Sequence, residues 1–255
     1  MASYESFARV YDELMDNVPY EQWADRIQKL LKTGGIRDGL MLELGCGTGK
    51  MLSIMDRRGF DMIGVDSSVE MLQIAEEKAG DNRPPLLLLQ DMRNFELYGT
   101  VASVICVCDT VNYITSPEEL TGVFRLVNNY LDPGGIFIFD FNTEYKYKDL
   151  MGDSVIAEDR EDVSFIWYNE YETENHLNYI DLSVFVRETD GRYRKFTEEH
   201  IQRGYTLHEI KLLLEESGMD FLAAYDGYTE KEADAFSERV VVMAREKGKS
   251  KNKEE

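Results

Sequence analysis

Along the first 34 residues, apolar positions recur every three to four places. Phe7, Val10, Tyr11 and Leu14 fall on one helical face, and Trp23, Ile27, Leu30 and Leu31 fall on another. The spacing predicts two helices, separated at Pro19, with Gly34-Gly35 ending the second. From residue 40 the pattern changes to short apolar runs alternating with amphipathic stretches, as expected of buried parallel strands joined by crossover helices. It predicts strands at about 40–45, 61–66, 86–91, 102–108 and 135–140, and helices at about 48–58, 68–79 and 117–131. The breakers Asp132-Pro-Gly-Gly135 close the last of these helices.

After residue 142 alternation with period two takes over, at about 163–172, 177–188 and 192–204, and predicts antiparallel strands. Asp190-Gly191 carries the signal of a type I′ hairpin turn. Helical spacing returns at Thr206, where Thr206 and Glu209 form a capping-box pattern and Gly218 marks the end. Two more strands are predicted near 219–225 and 238–244, and a disordered tail over 247–255. The fold class is therefore α/β, with one domain formed by 1–142 and 206–246, including a helical lid over 1–34. A β-rich insertion, 143–205, is expected to cover the site. That insertion holds 11 of the 29 aromatic residues and 15 acids against 8 lysines and arginines.

At 255 residues with 43% hydrophobic content, the chain can build a core without disulfides or a structural metal. The 49 acids against 28 lysines and arginines give a net charge of −21, which repels phosphate backbones and anionic lipid surfaces, so nucleic acid is an unfavourable partner. Three cysteines, Cys46, Cys106 and Cys108, lack paired or Cys-x-x-Cys spacing, and His176, His200 and His208 are dispersed. No metal site is expected. The amino terminus lacks the apolar run of a signal peptide, and no stretch is long enough to span a bilayer; a cytoplasmic setting is expected. Oligomeric state is not legible.

The chemistry lies at the strand ends. Met41-Leu-Glu-Leu-Gly-Cys-Gly-Thr-Gly-Lys50 runs from a strand through alternate glycines into a helix, letting a ligand lie against main-chain atoms. A dinucleotide fingerprint requires glycine where Lys50 stands, which disfavours a nicotinamide dehydrogenase. Glu43 is an acid near the end of a buried strand. It reads either as a carboxylate satisfied by amides of the glycine loop or as a route to a bound amino group. Asp66 ends the second strand, where a carboxylate can accept both hydroxyls of a ribose. Asp91, followed by Met92, is placed to accept an adenine exocyclic amine. Together they describe an adenosine lying across the sheet without phosphates.

Leu42-Glu-Leu-Gly-Cys-Gly-Thr-Gly49, Val65-Asp66-Ser-Ser-Val-Glu-Met71 and Gln90-Asp91-Met92 resemble the class I S-adenosylmethionine-dependent methyltransferases, in order and spacing over about residues 36–142. Tyr4-Glu-Ser-Phe-Ala-Arg-Val-Tyr-Asp-Glu-Leu-Met15 and His200-Ile-Gln-Arg-Gly-Tyr-Thr-Leu207 resemble a bacterial subgroup, the YqeM-like proteins assigned to small-molecule methylation. The resemblance implies a seven-stranded, Rossmann-like, mostly parallel sheet whose last strand is antiparallel. S-adenosylmethionine would bind at the carboxyl ends of its first four strands. It implies that Gly45, Cys46 and Gly47 line the methionine and ribose, Asp66 holds the ribose, Ser67 or Met71 flanks adenine, and Asp91 and Met92 read its amine edge. Asp109 would lie near the methionyl end, with Tyr4, Tyr11 and Trp23 as lid candidates. Cys108-Asp-Thr-Val-Asn-Tyr113 departs from the Asn-Pro-Pro-aromatic pattern of the nucleic-acid and protein-glutamine N-methylating branches.

Methyl transfer from a sulfonium is an in-line displacement in which positioning supplies much of the rate. Tyr11, His200 and Glu170 are the candidate bases; Arg203 is expected to pair with a nearby carboxylate, and Cys106 and Cys108 to share a face of the fourth strand as core residues. The expected acceptor is a small molecule with an amine or hydroxyl. The alternatives are a tRNA or rRNA methyltransferase and a non-catalytic regulator that binds the cofactor and a protein partner.

Overall fold

Pro19 and Gly35 bound the second helix as their chemistry requires. The computed structural model describes residues 4–79 and 84–249, and in it α1 (Tyr4–Leu14) and α2 (Tyr20–Gly34) are separated by a turn. Gly35 caps α2 at φ 94°, left-handed backbone that glycine adopts without a Cβ clash. There follow β1 (Gly39–Leu44), α3 (Lys50–Arg57), β2 (Phe60–Asp66), α4 (Val69–Ala79), β3 (Leu86–Leu89), β4 (Val101–Cys106), α5 (Pro117–Tyr130) and β5 (Leu131–Asn142). After β5 come β6 (Ser154–Asp159), β7 (Val163–Glu172), β8 (Leu177–Arg187), β9 (Tyr193–Arg203), α6 (Leu207–Glu216), β10 (Asp220–Asp226) and β11 (Arg239–Arg245).

Seven strands form one sheet in the order β10-β11-β5-β4-β1-β2-β3. Only β11 runs against its neighbours, pairing antiparallel with both β5 and β10, which is the predicted topology. One face is buried under α2 and α3, with Ile27, Leu31, Met51 and Met55 packed on Met41 and Ile138. The other is buried under α5 and α6, with Phe124, Val127, Ile210 and Leu214 packed on Leu42 and Phe139. Burial of both faces is why these strands read as continuous apolar runs.

Three boundaries differ from the sequence reading. β4 stops at Cys106, not 108, because Cys108 and Asp109 take φ of 59° and 51°, which no strand accommodates. Their amides instead donate to the Asp140 carboxylate at 3.1 and 2.6 Å. Cys108 therefore leaves the strand face it was expected to share with Cys106. β3 likewise ends at Leu89, before Asp91, where Asn94 N–H closes a turn onto the Asp91 carbonyl. Asp132–Gly135 does not separate α5 from its strand. β5 begins at Leu131, directly after the helix, and the four residues bulge out opposite Ala102, between the pairs Val101–Leu131 and Ser103–Ile136.

Strands β6 to β9 form a second, wholly antiparallel sheet in sequence order. The edge strand β6 was not predicted, since Val155-Ile-Ala157 shows no alternation. The β8–β9 turn is not type I′. Gly191 has φ 81° but Asp190 does not have positive φ, and Gly191 N–H donates to Glu188 C=O at 2.9 Å, so the loop is a type I turn closed by glycine. The inner face of this sheet, with Val163, Ile180, Leu182 and Val184, packs on Val10, Tyr11 and Leu14 of α1 and on Met71. Residues 247–249 are held rather than loose: Lys247 N–H donates to Asn128 and Lys249 Nζ to the Asn128 and Asn129 carbonyls. The remainder of the predicted tail, 250–255, lies outside the described residues. Among those described, no helix is long and apolar enough to cross a membrane.

Candidate active site

Strand order reverses between β1 and β4, and in an open α/β sheet the crevice beyond the strand ends at such a point is where ligands bind. Here it opens into a cavity of about 820 Å³. Its floor is the loop Gly45–Gly49, its roof α1 and the inner face of the second sheet. Gly45 is confined: at φ 69°, an added Cβ would come within 2.3 Å of Thr110 Cγ2. At Gly47, φ 50°, the added Cβ would meet nothing, so this backbone borders open space.

Asp66, at the end of β2, accepts Gly47 N–H at 2.8 Å on Oδ2 and Ser68 N–H at 2.9 Å on Oδ1. Each oxygen keeps a second lone pair for a ligand hydroxyl. Burial raises its pKa, against the opposing pull of these amides. Glu43 is buried, lines the cavity and leaves Oε2 with no hydrogen-bond partner. Burial, with Asp66 adding repulsion, pushes it well above the usual carboxylate range, and the amide that opposes this is that of Leu52. The glycine loop, named in one of the two sequence readings, does not satisfy this carboxylate; the first turn of α3 does so in part.

Cys46, Ser67, Met71, Asp91 and Met92 all line the cavity. Asp91 is not idle there: the Arg93 guanidinium grips both of its oxygens and holds its pKa below the ordinary value. A ligand amine would share that carboxylate with Arg93.

At the other end Asp109 anchors a network that no local motif announced. Arg239 of β11 donates to Asp109 Oδ1 and to Asp140 Oδ1, both at 2.7 Å. Burial alone would lower Arg239, but Asp140 and Asp109 outweigh it and keep the guanidinium charged. Gln202 of β9 donates to Asp109 Oδ2 at 2.9 Å, and Tyr147 OH donates to Gln202 Oε1 at 2.7 Å. Tyr228 OH donates to Asp140. This network joins the loop after β4 to both sheets. The partners of Asp109 are scattered from Asp140 to Arg239, which is why spacing could not find them.

Tyr11 lines the cavity, and burial raises its pKa. Trp23 does not line it. Its ring stacks on that of Tyr228 with centroids 4.2 Å apart and has the Arg239 guanidinium 5.4 Å from its own centroid, so it backs the network, and Tyr20, three residues earlier, takes the lining position. The Tyr4 side chain lies outside the described residues. His200 lines the cavity with its Nδ1 3.3 Å from Tyr113 OH, and burial lowers its pKa, keeping the imidazole neutral. Glu170 is a correction: it is exposed on the outer face of the second sheet, beside Tyr168 and Asp181, because its strand position has the parity opposite to Phe165 and Trp167. Arg203 pairs with Glu209 at 3.1 Å, as expected. His176 sits in the β7–β8 turn at φ 59°, and His208 is exposed on α6. Among the described residues no three His, Cys, Asp or Glu are grouped to hold a metal ion.

The cavity fits an adenosyl amino acid by its own features: an orphaned buried carboxylate oxygen at Glu43, open backbone at Gly47, and spare acceptor capacity on Asp66. No helix-cradled phosphate site with the dinucleotide spacing is present in the loop, where Lys50 opens α3. The fold is that of a Rossmann-like S-adenosylmethionine-dependent methyltransferase. The chain belongs to the methyltransferase-domain family, which matches residues 11–224. It is 35% identical to the methyltransferase-family protein YqeM of Bacillus subtilis (strain 168), over 94% of this chain and 96% of that protein. The crystal structure of an S-adenosylmethionine-dependent methyltransferase from Clostridium acetobutylicum ATCC 824 superposes with a TM-score of 0.88 at 32% identity, covering 96% of this chain and 99% of that one. A more distant similarity, 27% over 48% of this chain and 50% of the relative, is to the dTDP-3-amino-3,4,6-trideoxy-alpha-D-glucopyranose N,N-dimethyltransferase of Streptomyces venezuelae. The protein is thus a methyltransferase enzyme, its cofactor is S-adenosylmethionine, and neither the nicotinamide nor the non-catalytic reading stands.

Proposed function

We propose that this methyltransferase modifies an amine or hydroxyl of a small molecule enclosed beneath α1 and the second sheet. The observation that carries the reading is the continuity of one cavity from the glycine loop to the wall formed by Phe165, Trp167, Ile180, Leu182 and His200. At about 820 Å³ it lies in the upper part of the range of ordinary small-molecule pockets, room for a cofactor and a modest acceptor. The distant relative named for an amino-sugar N,N-dimethyltransferase supports an amine acceptor. The acids of 143–205 support less than the sequence reading gave them, because Glu170 and Asp181 face outward, whereas the lining from that segment is largely apolar and aromatic.

When bound, S-adenosylmethionine supplies a methyl group on a sulfonium, open to in-line displacement. In this reading Glu43, Gly45, Cys46 and Gly47 meet its methionyl and ribose portions, Asp66 accepts the ribose hydroxyls, and Ser67, Met71, Asp91 and Met92 enclose adenine. Asp109 bounds the methionyl end, held still by Arg239 and Gln202. Tyr11 and Tyr20 close the cavity from above and exclude water. His200, neutral and steadied by Tyr113, takes the acceptor's proton, while holding methyl donor and acceptor in line can supply roughly 7–11 kcal/mol in the best intramolecular cases.

Calorimetric titration of S-adenosylhomocysteine, with NAD as the control ligand, tests the cofactor half. Tight binding that Asp66→Ala weakens at least tenfold is expected, with no heat from NAD. Unaltered binding by the variant would remove Asp66 from the ribose. Methyl transfer to a panel of small amines and alcohols then tests the acceptor half.

A further inference from the structure

Lys146 opens the π-helical turn Lys146–Met151 that follows β5, a rare geometry that recurs at functional sites, and its side chain lines the cavity. Its Nζ donates to Asn142 Oδ1 at 3.0 Å. Among the described residues no carboxylate lies within ion-pair distance of it. At this end Arg239 pairs with both Asp109 and Asp140, and the neutral donors Gln202 and Tyr228 complete those carboxylates, so the trio keeps one net negative charge and Lys146 is the one cation there without a direct ionic partner among the described residues. An ammonium has three N–H donors, so two remain on Lys146 for a ligand. Burial, reinforced by nearby Arg239, lowers its pKa, while Asp109, Glu238 and Asp140 act at longer range to raise it. A counter-charge in the cavity would relieve that cost.

We propose that Lys146 binds a carboxylate of a ligand held in the cavity. The proposal rests on the methyltransferase reading of the cavity and goes beyond it. A monoanion suits the site better than a phosphate dianion. Asp109, Asp140, Arg239 and Lys146 sum to zero charge, so a monoanion leaves one negative charge in excess beside two carboxylates and a dianion leaves two. Two sources present this chemistry: the carboxylate of the cofactor's methionyl group, and a carboxylate on the acceptor. In the second case the apolar wall of Phe165, Trp167 and Leu182 takes the acceptor's body and Lys146 its charged end.

The experiment titrates wild type, Lys146→Met and Lys146→Arg with S-adenosylhomocysteine and with 5′-methylthioadenosine, which lacks the amino-acid portion. Phenylacetate and phenylacetamide are then titrated into each protein saturated with S-adenosylhomocysteine. If the carboxylate is the cofactor's, Lys146→Met weakens S-adenosylhomocysteine by about tenfold or more, as loss of a charge-assisted hydrogen bond predicts, and leaves 5′-methylthioadenosine unchanged. If it is the acceptor's, wild type prefers phenylacetate to its amide and Lys146→Met loses the preference. In either case Lys146→Arg retains most of the effect. Should Lys146→Met fail to fold, Lys146→Gln takes its place. Wild-type binding of S-adenosylhomocysteine together with no change in either comparison overturns the proposal, leaving Lys146 to balance the charge of the Asp109–Arg239–Asp140 group. Failure of wild type to bind S-adenosylhomocysteine would instead defeat the cofactor assignment, so the two failures are separate.

Discussion

Glu43 bears a cost that only a ligand can relieve. Its carboxyl is buried with one oxygen unpartnered, so the folded state holds the proton more tightly than the unfolded chain does. A carboxyl with a raised folded pKa makes stability fall as pH rises above its ordinary 4.5. Glu43→Gln is therefore expected to stabilise the ligand-free protein at pH 7 by about 1–3 kcal/mol, to do so much less at pH 4, and to weaken S-adenosylhomocysteine. Thermal melts at the two pH values decide it, and an equal loss of stability at both would refute the account. His200 carries the opposite sign. Burial depresses its folded pKa below 6.5, so its neutral form is present at pH 7 and is lost only as pH falls through that lowered value. If it is the base, the acidic limb of the kcat profile lies below pH 6.5, and His200→Gln abolishes the limb along with most of the rate. A variant profile that keeps the limb would assign it elsewhere.

Among elements, α1 has the most to do with access to the cavity. It is fastened to the floor through Asp12, which accepts Thr48 Oγ1–H at 2.6 Å and pairs with Lys78 of α4. The glycine loop and the roof are thereby tied by one side chain. A half-exposed pair of this kind is worth up to roughly 1 kcal/mol, so Asp12→Ala is expected to speed release of S-adenosylhomocysteine by roughly two- to fivefold, measured by stopped-flow displacement. An unchanged release rate would mean that α1 does not gate the site. The second sheet shows how strand parity selects function: Phe165 and Trp167 face the cavity, whereas Tyr168 and Glu170, of similar sequence character, face away.

For the whole molecule the governing quantity is charge. A net −21 sets a field that opposes any polyanion, and α1 with the second sheet roofs the cavity against a long polymer. No measurable binding of a transfer RNA is expected at about 50 mM salt, read by fluorescence anisotropy. Salt-dependent binding would revive the nucleic-acid reading.

The order of strands and helices up to residue 142, the acid that ends β2 and the one that follows β3 were legible because they follow from local signals. Buried strands must be apolar throughout, and a backbone turn against a ligand needs glycine. The capping box at Thr206 was legible for the same reason, and Glu209 does close it. Strand ends set by distant groups were not. β4 stops where Asp140, thirty-odd residues away, collects two amides, and nothing near Cys108 shows this. Arg239, Gln202, Tyr147 and Lys146 were equally invisible, since each is an ordinary residue on its own strand or turn. The sequence by itself determined the alternation of strands and helices and the glycine loop, through short-range stereochemistry and hydrophobic period, and its resemblance to a known family implied the sheet topology and the cofactor class. Only the tertiary structure decided which polar groups share the far end of the cavity and which are left without a partner, because charge pairing and burial depend on distances that chain order does not encode.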